Sequence, residues 1–194
     1  MLLLFAAAPA MAAPGVPRAG APVLAAASAA AFDLAAIPLA AAPLPAFPFV
    51  DWPASVPADQ RSVEREASLD AITVIAGAQL LTVEGRLERR RFSIPDGKSP
   101  LEMRRFYRDR IKALGGVQVN RLQPINDIAV VTPAVQALFP ADANAAARLD
   151  LHSYDEGQYQ YEVYVVRAGK ANAWFVVQTS TYTAIVTALE EAVE

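Results

Sequence analysis

Leu81, Val83 and Leu87 fall on one parity of the chain and Glu84, Arg86 and Glu88 on the other, the alternation of a strand with one dry face. Just upstream, Ile72-Thr73-Val74-Ile75 is rich in β-branched residues and predicts a short strand, with Gly77 turning the chain between the two. The segment before it, Ser62 to Ala67, is polar apart from Val63. After Leu87 the parity slips, because Phe92 and Ile94 lie on the opposite register. A bulge among Arg89, Arg90 and Arg91 would return both sets to one face. Pro95 and Asp96-Gly97 end the strand.

The period then changes from two to that of a helix. Ser99 is a suitable N-cap, Pro100 sits at the first helical position, and Glu102 follows the cap by three residues, as a capping box requires. Met103, Phe106, Tyr107, Ile111 and Leu114 share one side of this helix, Arg104, Arg108 and Lys112 the other, and Gly115-Gly116 supplies the stop.

Downstream, Val117 to Leu122 is expected to return as a strand. Ile128 to Val131 reads as extended, Pro133 to Phe139 as a short helix or turn, and Ala141 to Asp150 as a loop or frayed helix. Tyr159, Tyr161, Val163 and Val165 alternate with other residues, Ala168-Gly169-Lys170 offers a hairpin turn, and Trp174 to Val177 is apolar on both parities, as in a central strand. Tyr182 to Thr187 fits a third antiparallel strand, with a helix over Ala184 to Val193 as the alternative. The predicted fold is α+β: a single domain whose antiparallel sheet is covered on one face by the amphipathic helix at about 100–114, with a disordered N-terminal arm.

That arm is set by composition. The apolar fraction is 54%, but much of it is alanine in the first fifty residues. Residues 1–13 read as a signal peptide without the basic start, ending in the small-x-small pattern Ala10-Met11-Ala12. Val23 to Ala42 approaches the length of a membrane span but contains Asp33 and Pro38, and alanine gives little insertion energy. Residues 14–58 are therefore expected to be an Ala/Pro-rich disordered tether, with Phe47, Phe49 and Trp52 docking as a short latch in the alternative reading. The globular domain is placed at 59–194, and the expected location is exported, periplasmic or outer-membrane-associated.

Cysteine is absent and histidine occurs once, at His152. Disulfides, thiolate sites and any scheme with two imidazoles are excluded. The net charge is −3, yet residues 86–112 hold ten basic against four acidic side chains, +6, leaving −9 for the remainder. This asymmetry nominates Arg91, Arg104, Arg108 and Lys112 as an anion-binding surface for lipid head groups or cell-wall polymers. The competing reading is a solvated face whose arginines pair with nearby carboxylates, worth about 0–1 kcal/mol per exposed pair. Nucleic acid is disfavoured by the lack of interleaved stacking aromatics.

Val83-Glu84-Gly85-Arg86-Leu87, Arg91-Phe92-Ser93-Ile94-Pro95, the Gly97 to Glu102 turn, Tyr107 and Leu114-Gly115-Gly116 resemble an uncharacterised bacterial envelope domain that occurs ahead of OmpA-like peptidoglycan-binding domains. The stretches Tyr161 to Val177 and Tyr182 to Glu190 follow in the matching order, whereas Gln123 to Asp150 has no counterpart. The resemblance implies an α+β envelope domain without known catalysis, and it carries no ligand residues.

The remaining constellations are weaker. Asp150, His152, Asp155 and Glu156 combine one imidazole with carboxylates and would suit a divalent ion, but the simpler reading is a polar turn. Ser153 adjoins His152 and cannot serve it as a triad nucleophile, and no Gly-x-Ser-x-Gly elbow or phosphate loop occurs. Tyr154, Tyr159, Tyr161, Tyr164 and Trp174 either line a sugar or peptide groove or, more simply, pack across strands. The expected function is a non-enzymatic exported envelope accessory or binding domain without metal or cofactor, whose partner is an anionic envelope component or an envelope protein. The alternatives are anionic lipid or polymer binding through the 86–112 surface, and a hydrolase using His152 with Asp150 or Asp155.

Overall fold

The computed structural model describes residues 31–126, 130–151 and 159–192. Residues 1–13, Ile128, Ala129, His152 to Gln158 and the last two residues, on which several of these expectations fall, lie outside the described residues. The chain is a single α+β domain built on one six-stranded antiparallel sheet. Strands β1 (Arg61–Ala76) and β2 (Gln79–Ser93) form a long hairpin, helix α1 (Pro100–Ala113) follows, and β3 (Val117–Gln118) starts the far edge. After the short helices α2 (Pro133–Gln136) and α3 (Ala145–Arg148) come β4 (Gln160–Arg167), β5 (Ala171–Thr179) and β6 (Thr183–Ala192). The order across the sheet is β1-β2-β6-β5-β4-β3. The last strand is therefore inserted beside β2, and the stretch for which a helix over Ala184 to Val193 was the alternative is strand as far as Ala192.

The sheet is apolar on both faces, which changes the expected one-sided picture. On β5, Trp174 and Val176 belong to one buried cluster with Val74, Val83, Leu87, Val163 and Leu189. Their neighbours Phe175 and Val177 belong to another, with Phe92, Tyr164, Val186 and the α1 residues Met103, Tyr107 and Ile111. This explains the parity slip. Leu87 and Phe92 point to opposite sides because each has its own core to fill, and β2 needs no bulge: its ladder with β6 runs unbroken from Arg86↔Glu190 to Ser93↔Thr183. The bulges are in β1 instead, between Val63 and Arg65 and between Ala67 and Asp70. They sit on the sheet's outer edge, where such irregularities discourage edge-to-edge pairing.

The sheet also curls. The Gly77 N–H donates to Val119 O at 2.7 Å and the Arg121 N–H donates to Gly77 O at 2.8 Å, so the tip of the β1–β2 hairpin meets the chain just past β3 at the other edge. The first cluster lies inside this curve together with Val119, Ile125, Val135 and Leu149 of the 119–151 segment. Strand β3 stops after two residues, and side chains continue its work along β4. Asn120 Oδ1 accepts from the Val163 N–H at 2.9 Å, Gln123 Oε1 accepts from the Tyr161 N–H at 3.0 Å, and both amide groups donate to Tyr161 O. The edge of β4 is thereby satisfied without a full-length partner strand.

Helix α1 begins as its sequence predicts. Ser99 Oγ accepts from the Glu102 N–H at 3.2 Å and the Glu102 carboxylate accepts from the Ser99 N–H at 2.8 Å, a complete capping box. It ends in a Schellman pair, Gly115 N–H to Lys112 O and Gly116 N–H to Ile111 O, both 2.9 Å, with Gly115 at φ +89°, where a Cβ would be strained.

The expected disordered tether is corrected over residues 31–58. Phe49, Val50 and Val56 are buried in the second cluster, with Phe47 and Trp52 packed against it, while Phe32, Leu34 and Ile37 pack on the first. Arg167 holds the crossing between the two sides, donating to Ala35 O at 2.8 Å and Ile37 O at 3.1 Å. Alanine and proline suggested a solvated arm, but the few large side chains spaced among them supply the burial that fixes it.

Gly85 marks a close approach between β2 and β6, because a Cβ there would overlap the Glu190 carbonyl. Gly85→Ala is expected to cost about 1–3 kcal/mol, in the range of overpacking. Gly169→Ala, at a turn with open space around it, should stay within about 0.5 kcal/mol. Urea unfolding of the two variants checks the contrast.

Candidate functional site

A cavity with a polar lining opens at the mouth of the curled sheet, on the side of the first cluster, and has a volume of about 230 Å³. Its floor is the sheet (Val176, Gln178, Thr187), one wall is the bulged strand β1 (Arg65 and Ala71 to Thr73), and the other is α3 and the residues after it (Ala147 to Asp150). Concave sites at the mouths of curved sheets are common ligand positions.

Beside it lies Arg89, only 5% exposed in the middle of β2. A buried guanidinium needs anions within reach. The β1 bulge supplies one: Glu64 is left without a partner in the ladder, and its carboxylate lies 3.2 Å from Arg89 Nε and 3.3 Å from Arg91 Nη1. Asp150 supplies the second. Its carboxylate pairs with Arg89 Nη1, and its carbonyl accepts from both Nη atoms at 3.4 Å and from Gln178 Nε2 at 3.4 Å. Arg89 Nε is nevertheless buried without a hydrogen bond, the Glu64 contact being close but poorly aligned. Asp150 stands at φ +52° with its side chain 54% exposed, against 6% for its partner. Arg65 bridges the group, pairing with Asp70 and lying 3.9 Å from Asp150. The Ala71 N–H, first, and then Arg65 hold the Asp70 carboxyl below its ordinary value.

The candidate anion-binding residues do not form one surface. Arg91 shares the parity of Leu87 and Arg89, so it lies on the inner face with Glu64, whereas Arg104, Arg108 and Lys112 belong to α1, whose buried side joins the second cluster. Arg104 Nε is 3.5 Å from buried Glu162, whose carboxylate also accepts from Tyr164 Oη at 2.6 Å. Burial, then that bond, raises the Tyr164 pKa strongly. Among the described residues Arg108 forms an ion pair with its neighbour Asp109, at 3.7 Å, and Lys112 is exposed without one.

Of the metal-type cluster only Asp150 is described, and it is engaged by Arg89; His152, Asp155 and Glu156 lie outside the described residues, among which no group of three metal-ligating side chains occurs. Of the candidate groove aromatics, Tyr154 is outside, and Tyr159, Tyr161, Tyr164 and Trp174 are buried as packing residues. Trp174 Nε1 donates to Glu191 at 2.8 Å and Tyr159 Oη donates to Gln178 at 3.1 Å. Of the residues that line the cavity, Asp150 was singled out from sequence, for a metal or a hydrolase rather than for an arginine, while Thr73, Arg148, Gln178 and Thr187 were not. They come from four separate elements and share no motif.

No family model, no curated protein and no solved structure matches this chain. Among the described residues no helix is long and apolar enough to cross a membrane.

Because Glu64 and Asp150 both compensate one buried cation, neither loss alone strands it. Glu64→Gln and Asp150→Asn should each cost about 1 kcal/mol, while the double variant should exceed their sum by roughly 1–2 kcal/mol. Additivity in urea unfolding would show that Arg89 is not jointly held. The depressed Asp70 carboxyl stabilises the fold above its unfolded value, 3.8, and that contribution is lost as pH falls through the lower folded value. Asp70→Asn should therefore lower stability at pH 7 and flatten its fall as the pH drops below the unfolded value of 3.8.

Proposed function

We propose that the chain is a non-enzymatic accessory or binding domain of the cell envelope, exported to the periplasm or held at the outer membrane, with α1 serving as the cover of one sheet face. Ligand or partner recognition takes place at the mouth of the curled sheet. The observation carrying this reading is the polar cavity walled by β1 and α3, with a buried arginine behind it and three carboxylates set among four arginines. The signal-like start and the resemblance to the OmpA-associated envelope domain support the location. Expressed as the full chain in a Gram-negative host, the protein should fractionate with periplasmic or outer-membrane markers. Recovery with cytoplasmic markers alone would remove the reading.

A second reading places an anionic lipid or cell-wall polymer on the outer side of α1. It is favoured by exposed Arg105 and Lys112, which lack ion pairs among the described residues, and by Arg108, paired with its chain neighbour. Arg104 is a poor probe, since reversing its charge would set a carboxylate against Glu162. Arg108→Glu with Lys112→Glu is expected to reduce co-sedimentation with anionic liposomes or cell-wall sacculi by about tenfold, as suits the loss of two surface cations. Unchanged co-sedimentation would dismiss this reading.

A further inference from the structure

We propose that the cavity between β1 and α3 is a carboxylate-binding site, and that Asp150 occupies its anion position as a displaceable internal stand-in. The proposal deepens the binding-domain reading and depends on it only for biological context.

Three observations converge. Arg89 is almost fully buried, with Glu64 3.2 Å from its Nε on one side and Asp150 at Nη1 on the other, so the guanidinium is held dry and oriented between two carboxylates. The carboxylate engaging its far side, on Asp150, is the more exposed member of the pair by a wide margin and sits in a left-handed backbone conformation. Such a conformation is costly for a non-glycine residue, though aspartate is among those that tolerate it. Asp150 can therefore rehydrate at little cost, whereas Arg89 cannot. The third observation is the space beside them. Arg65 and Arg148 stand on opposite walls, Thr73, Thr187 and Gln178 line the rest, and Arg148 has no ion pair among the described residues.

Charge fixes the kind of ligand. Arg65, Arg89, Arg91 and Arg148 face Glu64, Asp70 and Asp150, so the group carries one net positive charge even while Asp150 is in place. When the Asp150 carboxylate turns to water, a second positive charge is left unmatched inside the site. A monoanion that offers two oxygens to a guanidinium matches that charge, and the replacement of one carboxylate by another needs no rearrangement of the donors. The cavity has room for such a group carried on a small polar body, as at the end of a peptide or on an acidic sugar. Thr73, Thr187 and Gln178 are placed to contact that body.

The test uses the full, isotopically labelled chain titrated with N-acetylalanine and, separately, with its neutral amide and with inorganic phosphate, followed by amide chemical shifts. The expected result is saturable binding of the acid, with shifts at Thr73, Gln178 and Thr187. The amide should be weaker by about tenfold, the scale of one charge-assisted bond. Asp150→Asn, which removes the internal competitor and keeps the side chain's size, should raise affinity for the acid by at least about threefold. Arg148→Gln, on an exposed side chain that the fold does not depend on, should lower it by a similar factor with an unchanged unfolding midpoint. Equal binding of acid and amide, no gain in Asp150→Asn, or no binding by either protein would overturn the site. Tighter binding of phosphate than of the acid would overturn the carboxylate assignment. None of these outcomes depends on localisation, so fractionation judges the envelope reading separately.

Discussion

The ladder between β2 and β6 is the junction on which the rest of the structure depends. Its eight pairs, from Arg86↔Glu190 to Ser93↔Thr183, join the β1–β2 hairpin to the β4–β5–β6 meander in one sheet. Two consequences follow from that joint. From Leu87 to Phe92 β2 has a strand on either side, and because a buried cluster lies on each face of the sheet, Leu87 and Phe92 can each serve a different core. The two strands must also approach closely at the point where pairing begins, and only the missing side chain at Gly85 leaves room for the Glu190 carbonyl. Sheet curvature then carries the hairpin tip to Val119 and Arg121, and the mouth of the curve is left open.

How much of this was legible in the sequence depended on the distance over which each feature is decided. The α1 cap and stop are decided within a few residues, by Ser99, Glu102 and Gly115-Gly116, and they stand where the sequence places them. The hairpin at Ala168 to Lys170 is equally local. The parity slip after Leu87 was visible but had two explanations, a bulge or a second core, and single-strand periodicity cannot separate them. The arm's alanines and prolines favoured a disordered tether, while the alternative of a latch through Phe47, Phe49 and Trp52 is the one the structure takes, because composition averages over the few rings that settle its position. The site was hidden more deeply: Arg89 and Asp150 are 61 residues apart, and Glu64 joins them only through a bulge on a strand whose periodicity is weak.

The basic stretch 86–112 shows how a charge run changes meaning once it is folded. Several of its arginines act as long apolar stems with a polar end, lying over rings. Arg90 stacks 4.9 Å from the Trp52 ring and donates to Val50 O at 2.7 Å, Arg86 lies 4.3 Å from Phe47, and Arg110 lies 3.6 Å from Phe106. Arg61, from β1, approaches Trp52 at 5.9 Å and donates to Val56 O. The guanidinium groups thus help to hold residues 47–56 against the sheet, a use that pairs cationic stems with the arm's aromatic rings. Charge that looked like a single exposed pole is spread over both sides of the sheet, and part of it is structural.

Arg89 differs from those arginines in kind. Its burial lies within the sheet, where a leucine of similar length would satisfy the packing without desolvating a charge. Buried ion pairs are commonly no more stabilising than well-packed apolar residues, so stability alone gives no reason for this one. Nor does the pair lock the surrounding chain symmetrically: Glu64 is fixed by the bulge, while Asp150 stands half in water at the end of α3. A cation buried within the sheet and an anion half exposed at its rim form a preorganised donor with an exchangeable partner. That division suits recognition, because the expensive half of the interaction, holding the guanidinium dry and oriented, is complete before any ligand arrives.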